Sequence, residues 1–404
     1  MHVLIVIFVF LQFSSCEARS ANTLSNTIPN PDLFVVDLDN AEIKRSILYL
    51  SSLFKNARCI ALENHIDGLV GDIDKLIVHD NLLYVLDKKF AKGLFVYNLD
   101  GKFIRRIGRF GRGPGEYSQL YDFTINTSQN EIIILDHETM LVYDIRGNFL
   151  RNVRLQQIDG HVNQLLYYDK LIYTTFMAYN ANINNYLLQS LDVNSGQRQN
   201  FYLDVDRHNK GWNESMIFGM TSFAPKLCPP YFYRASFMDT IFSITNRGLM
   251  PYLTIKSRDL ITNRDLRFPP NANRLMYFSQ NYRNINKILG LSCFFESSEN
   301  IYFQYHKGRD GISCVLFDKK TKTTQIFDTN IFQNDIIFVE RLLHPTFLTF
   351  DDKGVYELYS GYRLDRLLEF IRDNKIKPPF IEQLQKLHEE PNPIIFYYEF
   401  KDAE

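Results

Sequence analysis

The sequence predicts an all-β fold, a six-bladed β-propeller with short C-terminal helices, and three observations carry that reading. The first is a repeat: Tyr97, Gly101, Phe103 and Arg105 recur as Tyr143, Gly147, Phe149 and Arg151, each 46 residues further on. Four matches at one offset are hard to obtain by chance, and a repeat of that length is the signature of a ring of like units. The second is a turn signal, Asn-Leu-Asp-Gly at 98–101 and Asp-Ile-Arg-Gly at 144–147, which puts Gly where a hairpin needs positive φ. The third is composition: 33 Phe and 24 Tyr with a single Trp favour half-buried strand surfaces and a large core.

Each unit reads as four short strands. Residues 76–107 and 123–154 are the clearest copies, with Leu-Tyr-Val-Leu-Asp87 matching Ile-Ile-Ile-Leu-Asp136. Weaker copies run from Leu187 to Leu203 with the turn Asp192-Val-Asn-Ser-Gly196, and from Phe232 to Ile255. Two more pass through Ile301 to Val315 and Phe347 to Tyr359. Six units between residues 70 and 360 take about 48 residues each, the length of a four-stranded blade. The 404 residues therefore count blades, where length alone suggests two or three domains.

The chain divides into a signal peptide (1–16), a linker (17–32) and the propeller (33–404), which includes a C-terminal helical insertion and a closing strand. Val3 to Phe13 is apolar except for Gln12, too short to span a bilayer and followed by small residues. Phe13-Ser14-Ser15-Cys16 resembles the lipobox of bacterial lipoproteins, which implies lipidation of Cys16; an ordinary secretory signal is the alternative. Cys59, Cys228, Cys293 and Cys314 remain, too sparse for a disulfide framework and without the C-x-x-C spacing of a zinc or redox site. Cys293 and Cys314 lie on successive strands, either as buried thiols or as a pair.

Two stretches fall outside the blades. Arg274 to Leu289 reads as a short helix or an insertion over one face. Tyr362 to Glu389 has Leu364, Leu367, Leu368 and Ile371 at helical spacing, then Pro378-Pro379, then Ile381, Leu384 and Leu387, which predicts two short helices. Ile394 to Phe400 is strand-like and is expected to close the ring by completing a blade, and residues 33–37 to add a strand at the same seam.

Between the first two units lies Gly108-Arg-Phe-Gly-Arg-Gly-Pro-Gly-Glu-Tyr117. A dinucleotide loop would need a third Gly where Glu116 stands, a P-loop would need Lys-Ser/Thr, and both would need a helix next. The string is therefore read as a tight crossover between blades. With the Val-Tyr-x-x-x-Gly-x-Phe strands that follow, it resembles the NHL repeat. The whole chain, from about residue 33 to 400, is similar to a family of six-bladed propellers among exported lipoproteins of Bacteroides-type bacteria. Ser52 to Glu63, Gly248-Leu-Met-Pro-Tyr252 and Asn392-Pro-Ile-Ile-Phe-Tyr-Tyr carry that likeness. It implies the fold and a place at the cell envelope, and little about chemistry.

The charge balance, 45 Lys+Arg against 46 Asp+Glu, excludes a basic nucleic-acid binder. Nine histidines show no H-x-H, H-E-x-x-H or H-x-x-x-H spacing, and there is no G-x-S-x-G elbow, so no metal, cofactor or catalytic residue is expected from local motifs. Asp87 and Asp136 follow the second strand of their blades, either as channel-facing ligand groups or as turn residues accepting backbone N–H bonds. Trp212, between two blades, is the best candidate for a stacking surface. The function these features support is a non-catalytic binding or scaffold propeller at the envelope, expected as a monomeric outer-membrane lipoprotein, engaging a protein, peptide or glycan through one face or the channel mouth. The alternative is a glycan- or lactone-directed hydrolase or lyase whose residues converge in the channel.

Overall fold

The computed structural model describes residues 33–402 apart from 157–160, 178–185, 213–222, 225, 309–310, 328–331, 338, 343–346, 374–383 and 385–390. Six antiparallel blades follow one another around a central channel. The first three are contiguous four-stranded sheets: Lys75–His79 to Phe103–Ile107, Asp122–Asn126 to Phe149–Arg154, and His161–Tyr168 to Arg198–Asp204.

Their apolar runs have a simple cause. Ile132 and Ile134 point into the cluster shared with the first blade, Ile133 and Leu135 into the cluster shared with the third. A strand alternates its side chains between two faces, so a strand sandwiched between neighbours must be apolar at every position. Leu83 and Val85 face the sixth blade in the same way, while Tyr84 and Leu86 face the second.

The repeated turn has a cause as well. Asn98, Asp144, Asp192 and Asp318 end their blades' third strands, and in each the side-chain Oδ1 accepts two backbone N–H groups of the turn that follows. Gly101 is held at φ +82°, and a Cβ there would stand 2.1 Å from the carbonyl oxygen of Ala61 on the neighbouring blade. The glycine thus serves both the hairpin and the blade-to-blade contact. Tyr97 and Tyr143 donate their hydroxyls to Gly68 (2.5 Å) and Gly115 (2.9 Å), carbonyls in the crossover that enters each blade.

The other half of the ring is stitched from distant segments. The fourth blade supplies three strands, Tyr231–Tyr233, Thr240–Thr245 and Gly248–Lys256, and Phe34–Asp37 adds the outermost one in parallel. The expectation that 33–37 lies at the seam is corrected here. The fourth blade lacks an outer strand of its own, and Val36 is wholly buried in the cluster joining blades four to six. The open edge and this apolar residue satisfy each other. Glu42–Lys44 then runs parallel to Thr324–Phe327 as a fifth strand on the fifth blade.

Phe54–Ala61 pairs antiparallel with Ile394–Phe400, so the last blade joins the start of the propeller to its end. The ring closes as the sequence reading expected.

Of the two regions outside the blades, Arg274–Asn281 is a helix capped by Asn273, whose Oδ1 accepts from Met276 N at 2.8 Å. Gly361–Arg372 buries Leu364, Leu367, Phe370 and Ile371 against the sixth blade's cluster. The second expected C-terminal helix lies outside the described residues, apart from the buried Leu384.

Candidate functional site

The inner strands of the blades enclose a central cavity of about 810 Å3. One stretch runs inside the ring. Phe223 bridges Tyr233 on the fourth blade's inner strand, and Lys226 bridges Phe350 on the sixth blade's. A backbone that joins inner strands of non-neighbouring blades passes through the channel, and it brings Lys226 with it. Phe294, Phe295, Phe347 and Phe350 form an aromatic part of the wall. A volume of this size suits a small ligand, and the wall mixes apolar side chains with many polar and charged ones.

Three charged residues of the cavity wall are buried: Asp122, Lys226 and Arg234. Asp122 begins the second blade and receives the Lys75 ammonium at 2.9 and 3.1 Å, and Leu165 N at 2.7 Å. Lys75 also donates to the carbonyls of Phe123 (2.8 Å) and Leu165 (3.1 Å), so one ammonium ties three inner strands. Lys226 reaches Glu296 and Asp352, each at 3.1 Å. Burial works against its charge, but the two carboxylates outweigh it and hold its pKa above the ordinary lysine value. Glu296 is itself shared, taking Lys319 at 3.1 Å and the Tyr252 hydroxyl on its other oxygen.

Arg234 differs. It follows the fourth blade's inner strand, is 4% exposed, and donates Nε to the carbonyl of Leu291 at 2.9 Å. Its Nη1 is buried and has no hydrogen-bond partner among the described residues, none of whose carboxylates forms an ion pair with it. Burial draws the guanidinium down to about 10, which still leaves it charged at neutral pH.

The residues that the sequence reading offered for a ligand are placed in the scaffold. Asp87 is wholly buried, and its two oxygens accept backbone N–H groups from Gly71, Asp72, Lys89 and Phe90. Asp136 does the equivalent for Ser118 and Gln119. Each fastens the crossover that enters its own blade, and neither lines the cavity. Trp212 has no exposed surface and packs between Phe237, Phe278 and Arg274, so its ring is core material rather than a stacking platform. Cys16 lies outside the described residues. Two exposed aromatics that sequence reasoning passed over, Phe90 and Phe110, sit on a loop of the first blade and on the crossover after it. Arg234 was also passed over, because a charged residue after Tyr-Phe-Tyr looks like the solvated end of a strand.

Other chemistry in the cavity is limited. The four described cysteines are free thiols, Cys293 and Cys314 among them. Burial pushes Cys293 up to about 11, so it is a protonated thiol and a poor nucleophile at neutral pH. The Ser292 Oγ lies 2.9 Å from His306 Nε2, and both line the cavity. Among the described residues no group of three or more His, Cys, Asp or Glu stands close enough to hold one metal ion, and no helix is long and apolar enough to cross a membrane.

These features define a six-bladed propeller with a charged and aromatic central cavity. The chain belongs to the DUF4934 family, a domain of unknown function whose pattern matches residues 33–399. It is similar in structure to a Bacteroides fragilis protein described as exported, with a TM-score of 0.69 at 19% identity, covering 92% of this chain and all of the other. A member of the DUF4221 family from Bacteroides vulgatus shares the fold more loosely, at a TM-score of 0.51 and 11% identity over 87% of this chain and 98% of the other. No curated protein sequence matches.

Proposed function

We propose that this protein is a non-catalytic binding propeller of the bacterial cell envelope, a monomer anchored through a lipidated Cys16, that takes part of a peptide, glycan or protein into its central cavity. The single observation that carries the reading is the cavity itself, about 810 Å3 enclosed by inner strands and holding a buried cation without a carboxylate partner among the described residues. Natural interiors neutralise or hydrogen-bond their buried polar groups, so an exception in a cavity is a sign of use. Likeness to a protein described as exported supports the location, and the Gly108–Tyr117 crossover supports an NHL-type repeat.

Native mass spectrometry of the protein purified from its own envelope tests the reading. A co-purifying molecule released unchanged, and lost when Thr124→Trp fills the channel, is the expected result. No adduct in the wild-type protein, or an adduct that survives the channel-filling variant, contradicts it.

One observation favours a second reading, the glycan- or lactone-directed hydrolase. A Ser oxygen 2.9 Å from a His nitrogen inside a cavity is the spacing of an activated nucleophile and its base. That reading requires that Ser292→Ala abolish turnover of a bound ester or lactone while leaving its binding intact.

A further inference from the structure

We propose that Arg234 is the anchor for a carboxylate, and that the ligand of the central cavity is a molecule bearing one carboxylate on a ring or apolar body. The inference rests on the binding role proposed above and specifies the chemistry of that same site.

The charges of the wall decide the sign. Asp122 is answered by Lys75, and Lys226 by Glu296 and Asp352. Among the described residues Arg234 donates Nε to a neutral carbonyl, forms no ion pair with a carboxylate, and has no acceptor for its Nη1. A buried cation left in this state costs stability, and it persists where something outside the fold completes it. Among the buried charges of the wall one positive charge is left over, and a guanidinium presents paired donors that match a carboxylate. Lys75 and Lys226 are already neutralised, so a phosphate dianion would have to draw its second cation from Lys88 or Lys89 on the first blade's part of the wall, and phosphate is therefore one of the probes. The body of the ligand is set by the rest of the wall, where the half-buried Tyr231, Phe347, Leu348 and Ile77 offer aromatic and aliphatic surface to a sugar ring or an apolar side chain.

The shared chemistry has two natural sources, a peptide C-terminus and an acidic sugar. Calorimetric titration of the full mature chain separates them. The probes are N-acetylphenylalanine with its neutral amide, glucuronate with glucose, and inorganic phosphate, each up to about 20 mM. The wild type is expected to take one equivalent of at least one of the two acids, at least about tenfold more tightly than its neutral partner. Arg234→Met is expected to lose that tenfold preference, and Arg234→Lys to keep part of it because the charge remains without the paired donors. Near-ultraviolet dichroism establishes that each variant is folded, and if Arg234→Met is not, Arg234→Gln takes its place.

Equal binding of acid and neutral partner, or unchanged acid binding in the Arg234 variant, overturns the anchor while leaving the cavity-binding reading standing. Binding of phosphate in preference to both acids overturns the carboxylate assignment. No binding of any probe overturns the inference, and the adduct experiment then judges the wider reading separately.

Discussion

Two walls of the same cavity treat buried charge in opposite ways. Across the first three blades, Lys75 and Asp122 neutralise each other and the ammonium also binds two carbonyls of the inner strands. Between the fourth and fifth blades, Arg234 is as buried as Asp122 and more buried than Lys75, yet its guanidinium meets one carbonyl and no carboxylate among the described residues. The first arrangement is complete and behaves as part of the scaffold. The second is incomplete among the described residues, and the proposed carboxylate ligand would complete it. Burial alone therefore does not mark a functional charge; the state of its partners does.

The largest effect that sharpens this contrast comes from breaking a complete network. Glu296 serves Lys226, Lys319 and Tyr252 together. Glu296→Ala leaves Lys226 with only Asp352 and should cost about 3–5 kcal/mol, read as a lower urea midpoint. Lys75→Met comes next. It leaves Asp122 with the Leu165 N–H as its remaining donor among the described residues, and a loss of about 2–3 kcal/mol is expected, reduced because Lys75 is partly exposed. Tyr97→Phe, which removes only the hydroxyl bonded to Gly68, should cost about 1 kcal/mol, with Tyr143→Phe close behind as its counterpart in the second blade. Near-equal values would show that the repeated tyrosines do the same work; a twofold difference would show that they do not.

The ring's two halves also differ in how far they can be read from sequence. Blades one and two are legible because each is contiguous. Strand, hairpin and strand follow in order, so Tyr97 and Tyr143, or Gly101 and Gly147, reappear at one offset. The closing strand Ile394–Phe400 is legible too, as an apolar alternating run with no neighbour of its own. The placement of Phe34–Asp37 was not. A parallel outer strand has no hairpin to point at its partner, and only the missing fourth strand of the fourth blade tells where it goes. Position in the repeat found Asp87 and Asp136 and left their task open between turn and ligand, because a turn carboxylate and a ligand carboxylate occupy the same place in a sequence; the backbone N–H groups they accept make them turn residues. Trp212 stood out as the one tryptophan, and rarity carries no information about exposure. Arg234 had no local signal. Its meaning depends on which residues other blades bring to it, and that becomes visible only once the ring is closed.

If Arg234 is held for a ligand rather than for the fold, its loss should not destabilise the empty protein. The most direct measurement is the thermal midpoint of Arg234→Met against the wild type in ligand-free buffer. Replacing an uncompensated buried cation by an apolar side chain of similar length should leave the midpoint unchanged or raise it by a few degrees, corresponding to about 1 kcal/mol. A fall as large as that produced by Lys75→Met would show that Arg234 is a structural residue, and would contradict its being held for a ligand.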